Sequence, residues 1–330
     1  MNKASKSAAA GLGFALFLLT ACSGGSQGTS GDQGAANGTK IALGSFNQNS
    51  ITFPAIIADE QGFFKKEGLD VQPSIAKSGP ELAAQLIGGS TQIAAVSPDN
   101  IIPSIKQGQP ITLLPPYGKM DMQFIAPKSS RITDVKDLDG KRIGVLSRGS
   151  ATEKYARAIF KERGVNPDSV TFVAVGGAVT MEPALRNGKV DAVIGSTSSY
   201  ITMASHGLDL VPFSDALTGD AGALSRDGIQ VLWATTKDYK AQNSGTVNKF
   251  CKALDSAVKW INNDANRDAG VKSLSKLLGL KPDAAGRLWD QIHKSFFTST
   301  DAAAWKTNVD FSAGTPNAVP FSAVDNTCGQ

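Results

Sequence analysis

Residues 46–71 read FNQNSITFPAIIADEQGFFKKEGLDV, and their reading decides the fold. Just before them, residues 41–45 are a short apolar run that fits a buried strand. Thr52 suits a helix N-cap and Pro54 a first helical turn. Ala55, Ile56, Ala58, Phe63 and Phe64 recur at helical spacing, broken by Gly62. Gly68 stands where a C-terminal cap belongs, and Leu69 and Val71 open a second strand. The stretch is therefore a strand–helix–strand unit. Its loop, residues 46–53, lies at the carboxyl end of the first strand, the edge where ligands gather in open α/β sheets.

The same plan repeats downstream. Gly79, Pro80 and Glu81 start a helix whose inner face is Leu82, Ala83, Leu86 and Ile87, and Gly88 and Gly89 end it. Residues 93–96 are a buried strand, and Ser97, Pro98 and Asp99 begin the next helix, which ends near Gly108. Residues 111–114 form a strand that closes on Pro115, Pro116, Tyr117 and Gly118. Residues 142–146 form another strand, and SATE at 150–153 reads as a capping box. Tyr155, Ala156, Ile159 and Phe160 line the following helix, which Gly164 stops. Strands at 170–175 and 190–194 end in Gly176–Gly177 and in Gly195, Ser196 and Thr197. Residues 86–97 and 185–196 share one order: helix end, glycine, apolar strand, small polar turn. One such unit in each segment predicts two similar α/β domains. Residues 229–235 read as a strand returning to the first domain, with helices at about 246–262, 271–278 and 283–294. The first domain is then discontinuous, 40–125 with 229–330, and the second is 126–228, with hinge crossings near 122–127 and 226–231.

Working outward to the N-terminus, Lys3 and Lys6 precede an apolar run at 8–21, the length of a signal-peptide core and too short to span a bilayer comfortably. It ends in Leu19, Thr20, Ala21 and Cys22, which resembles a bacterial lipobox with Cys22 as the lipidated residue. An ordinary cleaved signal with an incidental cysteine is the alternative. Residues 1–21 are thus a leader, and 22–39 form a Gly/Ser-rich flexible tether. The chain carries 33 Lys+Arg against 29 Asp+Glu, and losing Lys3 and Lys6 with the leader brings the net charge to about +2, with no basic run to suggest nucleic acid. Cys251 and Cys328 remain in a compartment that permits disulfides. A bond would pin the tail to a helix; the alternative is a buried free Cys251 and a frayed Cys328.

PAIIADEQGFFKKEGLDV at 54–71, IAAV at 93–96, DLDGKRIGV at 137–145 and NGKVDA at 187–192 together resemble the solute-binding proteins of ABC transporters for sulfonates, taurine, nitrate and thiamine-precursor pyrimidines. Gln92 departs from the acidic residue usual in that family. The resemblance implies a type II periplasmic-binding-protein fold: two doubly wound α/β lobes joined by a two-strand hinge, closing on ligand. It implies a lipid-anchored, extracytoplasmic monomer that hands a small molecule to an ABC permease and its ATPase.

Enzyme chemistry finds little to work with. The chain has two histidines, His206 and His293, and no HExxH, CxxC, GxSxG or phosphate-loop pattern, so no metal and no cofactor is expected. Binding chemistry finds more. Each strand end delivers a small polar loop and a helix start, where unpaired N–H groups favour an anion. The candidate ligand-binding residues are Phe46, Asn47, Thr52, Ser78, Ser97, Tyr117, Arg148, Ser150, Thr152, Gly177 and Ser196. Arg148, at a strand's mouth, offers a guanidinium to a carboxylate or sulfonate. Phe46, Phe53 and Tyr117 offer an apolar wall, and Glu182 an acceptor for an amine. The expected ligand is a small organic anion: a sulfonate, taurine, nitrate or an aromatic carboxylate. A neutral thiamine-precursor pyrimidine, or an enzyme of pyrimidine synthesis on the same fold, is the alternative.

Overall fold

A computed structural model describes residues 38–45, 50–76, 78–313, 315 and 318–330. The leader at 1–21, Cys22, nearly all of the tether, Phe46 and Asn47 lie outside the described residues. Strand β1 (Thr39–Ser45) is followed by α1 (Phe53–Glu60) and α2 (Phe63–Lys66). Gly62, at φ 71°, divides the apolar stretch into these two helices, because only glycine takes that left-handed turn without strain. Then follow β2 (Leu69–Ile75), α3 (Gly79–Ile87), β3 (Ile93–Val96), α4 (Pro98–Lys106) and β4 (Ile111–Lys119). After β5 (Gln123–Pro127) come β6 (Arg142–Val145), α5 (Ala151–Arg163), β7 (Thr171–Ala174), α6 (Ala178–Arg186), β8 (Ala192–Gly195), α7 (Thr197–Ser205), β9 (Leu210–Asp215) and α8 (Gly222–Asp227). The chain ends with β10 (Ile229–Thr236), α9 (Lys237–Gln242), α10 (Ser244–Ile261), α11 (Arg267–Leu278), α12 (Pro282–Ile292), β11 (Phe296–Phe297) and α13 (Ala302–Ala313).

The strands form two sheets, of order β11-β4-β10-β3-β1-β2 and β7-β6-β8-β5-β9. In the first, β1 lies parallel between β2 and β3, and β10 runs antiparallel between β3 and β4. In the second, β6 lies parallel between β7 and β8, and β5 runs antiparallel between β8 and β9. The two sheets thus repeat one plan, as two lobes of a type II periplasmic-binding-protein fold. The chain crosses between the sheets at 120–122 and again near 227–229, and residues 123–127 belong to the second sheet.

Each sheet is covered on both faces, which is why inner strands such as β3 and β8 are buried along their whole length, while the edge strands β2 and β7 carry exposed positions. Ile41, Ile57, Leu254, Leu288 and Trp289 fill one side of the first sheet, and Leu82, Ile101, Leu113 and Trp305 the other. Phe124, Tyr155 and Phe160 fill one side of the second, and Met181, Val193 and Met203 the other. The strand expected to stop at Leu114 continues to Lys119. Leu114 pairs with Trp233 and Gly118 with Val231, so three residues of β4, 115–117, face one of β10. That bulge accommodates Pro115 and Pro116, which have no N–H to give a regular ladder. At the other end of the chain, Cys328 is disulfide-bonded to Cys251 of α10, and Val324 bridges Leu113 of β4. Helix α13, unforeseen in the sequence, buries Trp305 and Val309 against the first lobe.

Candidate functional site

Because β2, β1 and β3 are parallel neighbours, the loops leaving them share one sheet edge. Ser78 begins α3 and its Oγ accepts the Glu81 N–H at 3.3 Å. Ser97 begins α4, and its Oγ accepts from Asn100 Nδ2 at 2.7 Å. That amide lies against Gly79, where a Cβ would come within 2.4 Å of it. Thr52 stands at the N-cap of α1, buried, with no capping hydrogen bond from its side chain.

The loops after β7, β6 and β8 form the matching edge of the second lobe. Ser196 caps α7, its Oγ accepting the Ser199 N–H at 3.2 Å and lying 2.9 Å from Ser198 Oγ. Gly177 begins α6 beside open space. Among the described residues a hydrogen bond joins the two edges: Ser50 Oγ donates to Ser198 Oγ at 3.1 Å, both residues being buried. Exposed apolar side chains stand at strand ends of both lobes: Ile75 closes β2, and Leu146 and Val179 follow β6 and β7.

Several residues expected to meet ligand are engaged elsewhere. Arg148 does not offer a free guanidinium. Its Nε and Nη2 donate to Glu153 at 2.8 and 3.2 Å, and the group also lies over the Phe172 ring. Glu153 does not complete a capping box either. Its carboxylate accepts the Gly149 N–H at 2.8 Å and is held by Arg157 as well. Burial opposes the Glu153 charge, but these donors outweigh it and hold the pKa at about 2. Ser150 and Thr152 are spent inside the same loop: Ser150 Oγ donates to the Ser147 carbonyl, and Thr152 Oγ1 accepts the Leu146 N–H. Tyr117 forms no ligand wall. It is 1% exposed, packs on Phe297, and donates its hydroxyl to Asn326 of the tail. Phe53 is core, edge-on to Trp289. Glu182 is bound to His206 and Arg186, and His293 stacks on Trp289.

Sequence reasoning missed a buried polar group at the first crossing. Asp121 is 7% exposed, and its Oδ1 accepts both the N–H and the hydroxyl of Thr197, at 2.8 and 2.7 Å. It thereby caps the start of α7. Gln123 Nε2 donates to Thr197 Oγ1 and to Asp215 Oδ2, extending the network to β9. Burial pushes the Asp121 pKa up to about 6, against the pull of the Thr197 donors and with a further push from Asp215. No local pattern flags this residue, because its partner lies 76 positions away.

Beside Asp121 is a small cavity of about 10 Å³, at the limit for a single water, lined by Ser50, Lys119 and Gln230 among others. It lies where both crossings meet Ser50 and Ile51. Residues 49–267 match the family described as NMT1/THI5 like. The chain belongs to that family. Like this NMT1/THI5-like chain, a Bacillus subtilis (strain 168) protein named as a binding protein, YtlA, is related at 21% identity over 305 residues, covering 87% of this chain and 88% of YtlA. The Saccharomyces cerevisiae 4-amino-5-hydroxymethyl-2-methylpyrimidine phosphate synthase THI13 is 25% identical over 245 residues, covering 69% and 67%. Among solved structures, the alkanesulfonate-binding protein SsuA of Xanthomonas axonopodis pv. citri, bound to MOPS, overlays with a TM-score of 0.69 at 17% identity, covering 88% of this chain and 99% of that one. That likeness is one of fold. The solved structures that resemble this chain are for the most part binding proteins.

Proposed function

We propose that this chain is the lipid-anchored, extracytoplasmic substrate-binding component of an ABC importer, and that it captures a small organic anion between its lobes without chemical change. The domain division drawn from sequence, 40–125 with 229–330 and then 126–228, belongs to this reading, with the first boundary moved to the crossing at 120–122. The observation that carries it is the Ser50–Ser198 junction, where hydroxyl-bearing loops from facing sheet edges meet. Loops that meet across a cleft can release and regrip a ligand as the lobes part and close. Candidate ligands are a sulfonate, taurine, nitrate or an aromatic carboxylate, held by helix N-termini and hydroxyls, with Ile75, Leu146 and Val179 against its carbon frame. A micromolar dissociation constant requires roughly −8 kcal/mol, within reach of a few charge-assisted hydrogen bonds. The implied partners are a permease with its ATPase, and the membrane through lipid on Cys22. Lipid on Cys22 holds firmly only if more than one acyl chain is attached.

The alternative reading, a pyrimidine-synthesising enzyme, draws on the named activity of THI13. Against it, both histidines are engaged with carboxylates through a ring nitrogen, His206 with Glu182 and His293 with Asp264. A thermal-shift screen of sulfonates, nitrate, aromatic acids and pyrimidines tests the binding reading, since a native-state ligand raises the midpoint. No shift with any of them refutes it. Cys22→Ser is expected to move the protein from the membrane to the soluble fraction, and unchanged membrane retention refutes the anchor.

A further inference from the structure

Among the described residues, helices α7 and α13 each reach from their own lobe to the other, and they do so on opposite faces of the sheets. Helix α7 of the second lobe packs against α12 of the first. There Ile201, 2% exposed, joins the apolar cluster that Leu288, Trp289 and Ile292 help build in the first lobe. Helix α13 is seated in the first lobe by Trp305 and Val309, and it packs against α8 and α5 of the second. There Phe311 rests on the cluster that includes Tyr155 and Leu224. Helix α12 covers one side of the first sheet and α13 the other, so the two contacts straddle the crossings.

The two contacts differ in kind. Asn308 of α13 accepts the Ile229 N–H and donates to the Asp227 carbonyl, so α13 is bonded to the second crossing on both sides of Gly228. Among the described residues no hydrogen bond or ion pair joins α7 to α12, and their contact is side-chain packing. Turning one lobe about the crossings moves the two contacts in opposite senses. Drawing α13 from the crossing would strand buried backbone groups, and pressing it inward would overpack a filled core. Parting α7 from α12 exposes apolar surface and breaks no hydrogen bond between them. We infer, building on the reading of two lobes that part and close, that they part at the seam between α7 and α12 and turn about α13 at the second crossing. Ile201 is then a positioning residue that sets the balance between the open and closed forms. Ser198 lies one helical turn before Ile201 on the same face of α7, so the hydroxyl that reaches Ser50 leaves the first lobe together with Ile201. The seam thereby governs how readily the facing edges separate.

Paired spin labels on the chain carrying Cys22→Ser read this motion, with Cys251 and Cys328 held in their own bond. His206→Cys with Arg287→Cys spans the seam, and Arg226→Cys with Lys306→Cys spans the pivot; all four positions are exposed. Distance measurements by electron spin resonance, without ligand, should show a second, longer separation for the seam pair and a single one for the pivot pair. Ile201→Ala should raise the ratio of long to short seam separations by about tenfold, and Ile201→Val by less in the same direction, while the pivot pair stays unmoved. Circular dichroism checks the fold of each variant, and if Ile201→Ala does not fold, Ile201→Val carries the test. A pivot pair that splits while the seam pair holds one separation overturns the inference. So does a seam ratio that responds to neither variant. Both results leave the binding reading to the thermal-shift screen, whose own failure would leave a seam that opens on Ile201→Ala standing as a property of the fold.

Discussion

Glu153→Gln is the sharpest probe of how the second lobe is held together. The Glu153 side chain is 6% exposed and receives Arg148, Arg157 and the Gly149 N–H. Its pKa is held at about 2 against an ordinary 4.5. Because the folded value is the lower one, the stabilisation is complete above the unfolded value and is lost as pH falls from about 4.5 toward 2. At about 1.36 kcal/mol per pH unit the gap is worth roughly 3 kcal/mol. Solvent screening of Arg148 and Arg157, whose side chains are 60% and 40% exposed, lowers the expectation to about 2 kcal/mol. A glutamine keeps one acceptor and turns an NH₂ toward two guanidinium groups. Urea unfolding at pH 7 should therefore show a loss of about 2 kcal/mol, and the midpoint of a thermal scan should fall by on the order of 5 °C. Between pH 4.5 and 2 the parent should lose stability more steeply than the variant, since only the parent has this carboxylate to protonate. Equal stability at pH 7, with superimposable acid limbs, would refute the account of Arg148 as a structural partner and reopen it as a ligand residue.

Three further outcomes rest on separate contacts. Alkylation without reduction should label no thiol in exported protein, and replacing Cys251 and Cys328 by alanine should cost up to about 4 kcal/mol, from the 77-residue separation in the chain-entropy view; two labelled thiols in the parent would contradict the bond. Asn308 is fully buried in α13, accepting the Ile229 N–H at 2.7 Å and donating to the Asp227 carbonyl at 2.8 Å. Asn308→Ala strands both groups at the second crossing and should cost about 2–4 kcal/mol by chemical denaturation, while a loss below about 1 kcal/mol would show that water replaces the amide. Gly270 of α11 lies on the Trp289 ring so closely that a Cβ would come within 1.9 Å. Gly270→Ala should destabilise by about 1–3 kcal/mol despite alanine's better helix propensity, and a stabilised variant would mean that α11 and α12 slide apart freely.

Much of the fold could be read because its signals are local. A glycine in the left-handed region at Gly62 or Gly68, an apolar strand such as 93–96, and a serine at a helix start each declare themselves within a few residues. Repetition of that order in two segments was enough to anticipate two sheets of one plan. The site was less readable because its residues are defined by distant partners. Arg148 in sequence is a cation at a strand's mouth; only the fold shows a buried carboxylate five residues on, turned back to claim it. The hydroxyls of Ser150 and Thr152 carry the same signature as that of Ser198, yet two close their own loop and one reaches the opposite lobe. Tyr117 follows two prolines that read as a strand's end, and the bulge that carries β4 past them also turns its ring under the tail.

Asp121 shows where such reading fails most completely. Within KMDMQ at 119–123 it looks like a solvated acid in a linker. Its burial follows from β5 lying beside β8, which brings the start of α7 to the first crossing. The same placement makes the residue useful, because its Oδ1 fixes the first crossing to the start of α7 in the second lobe.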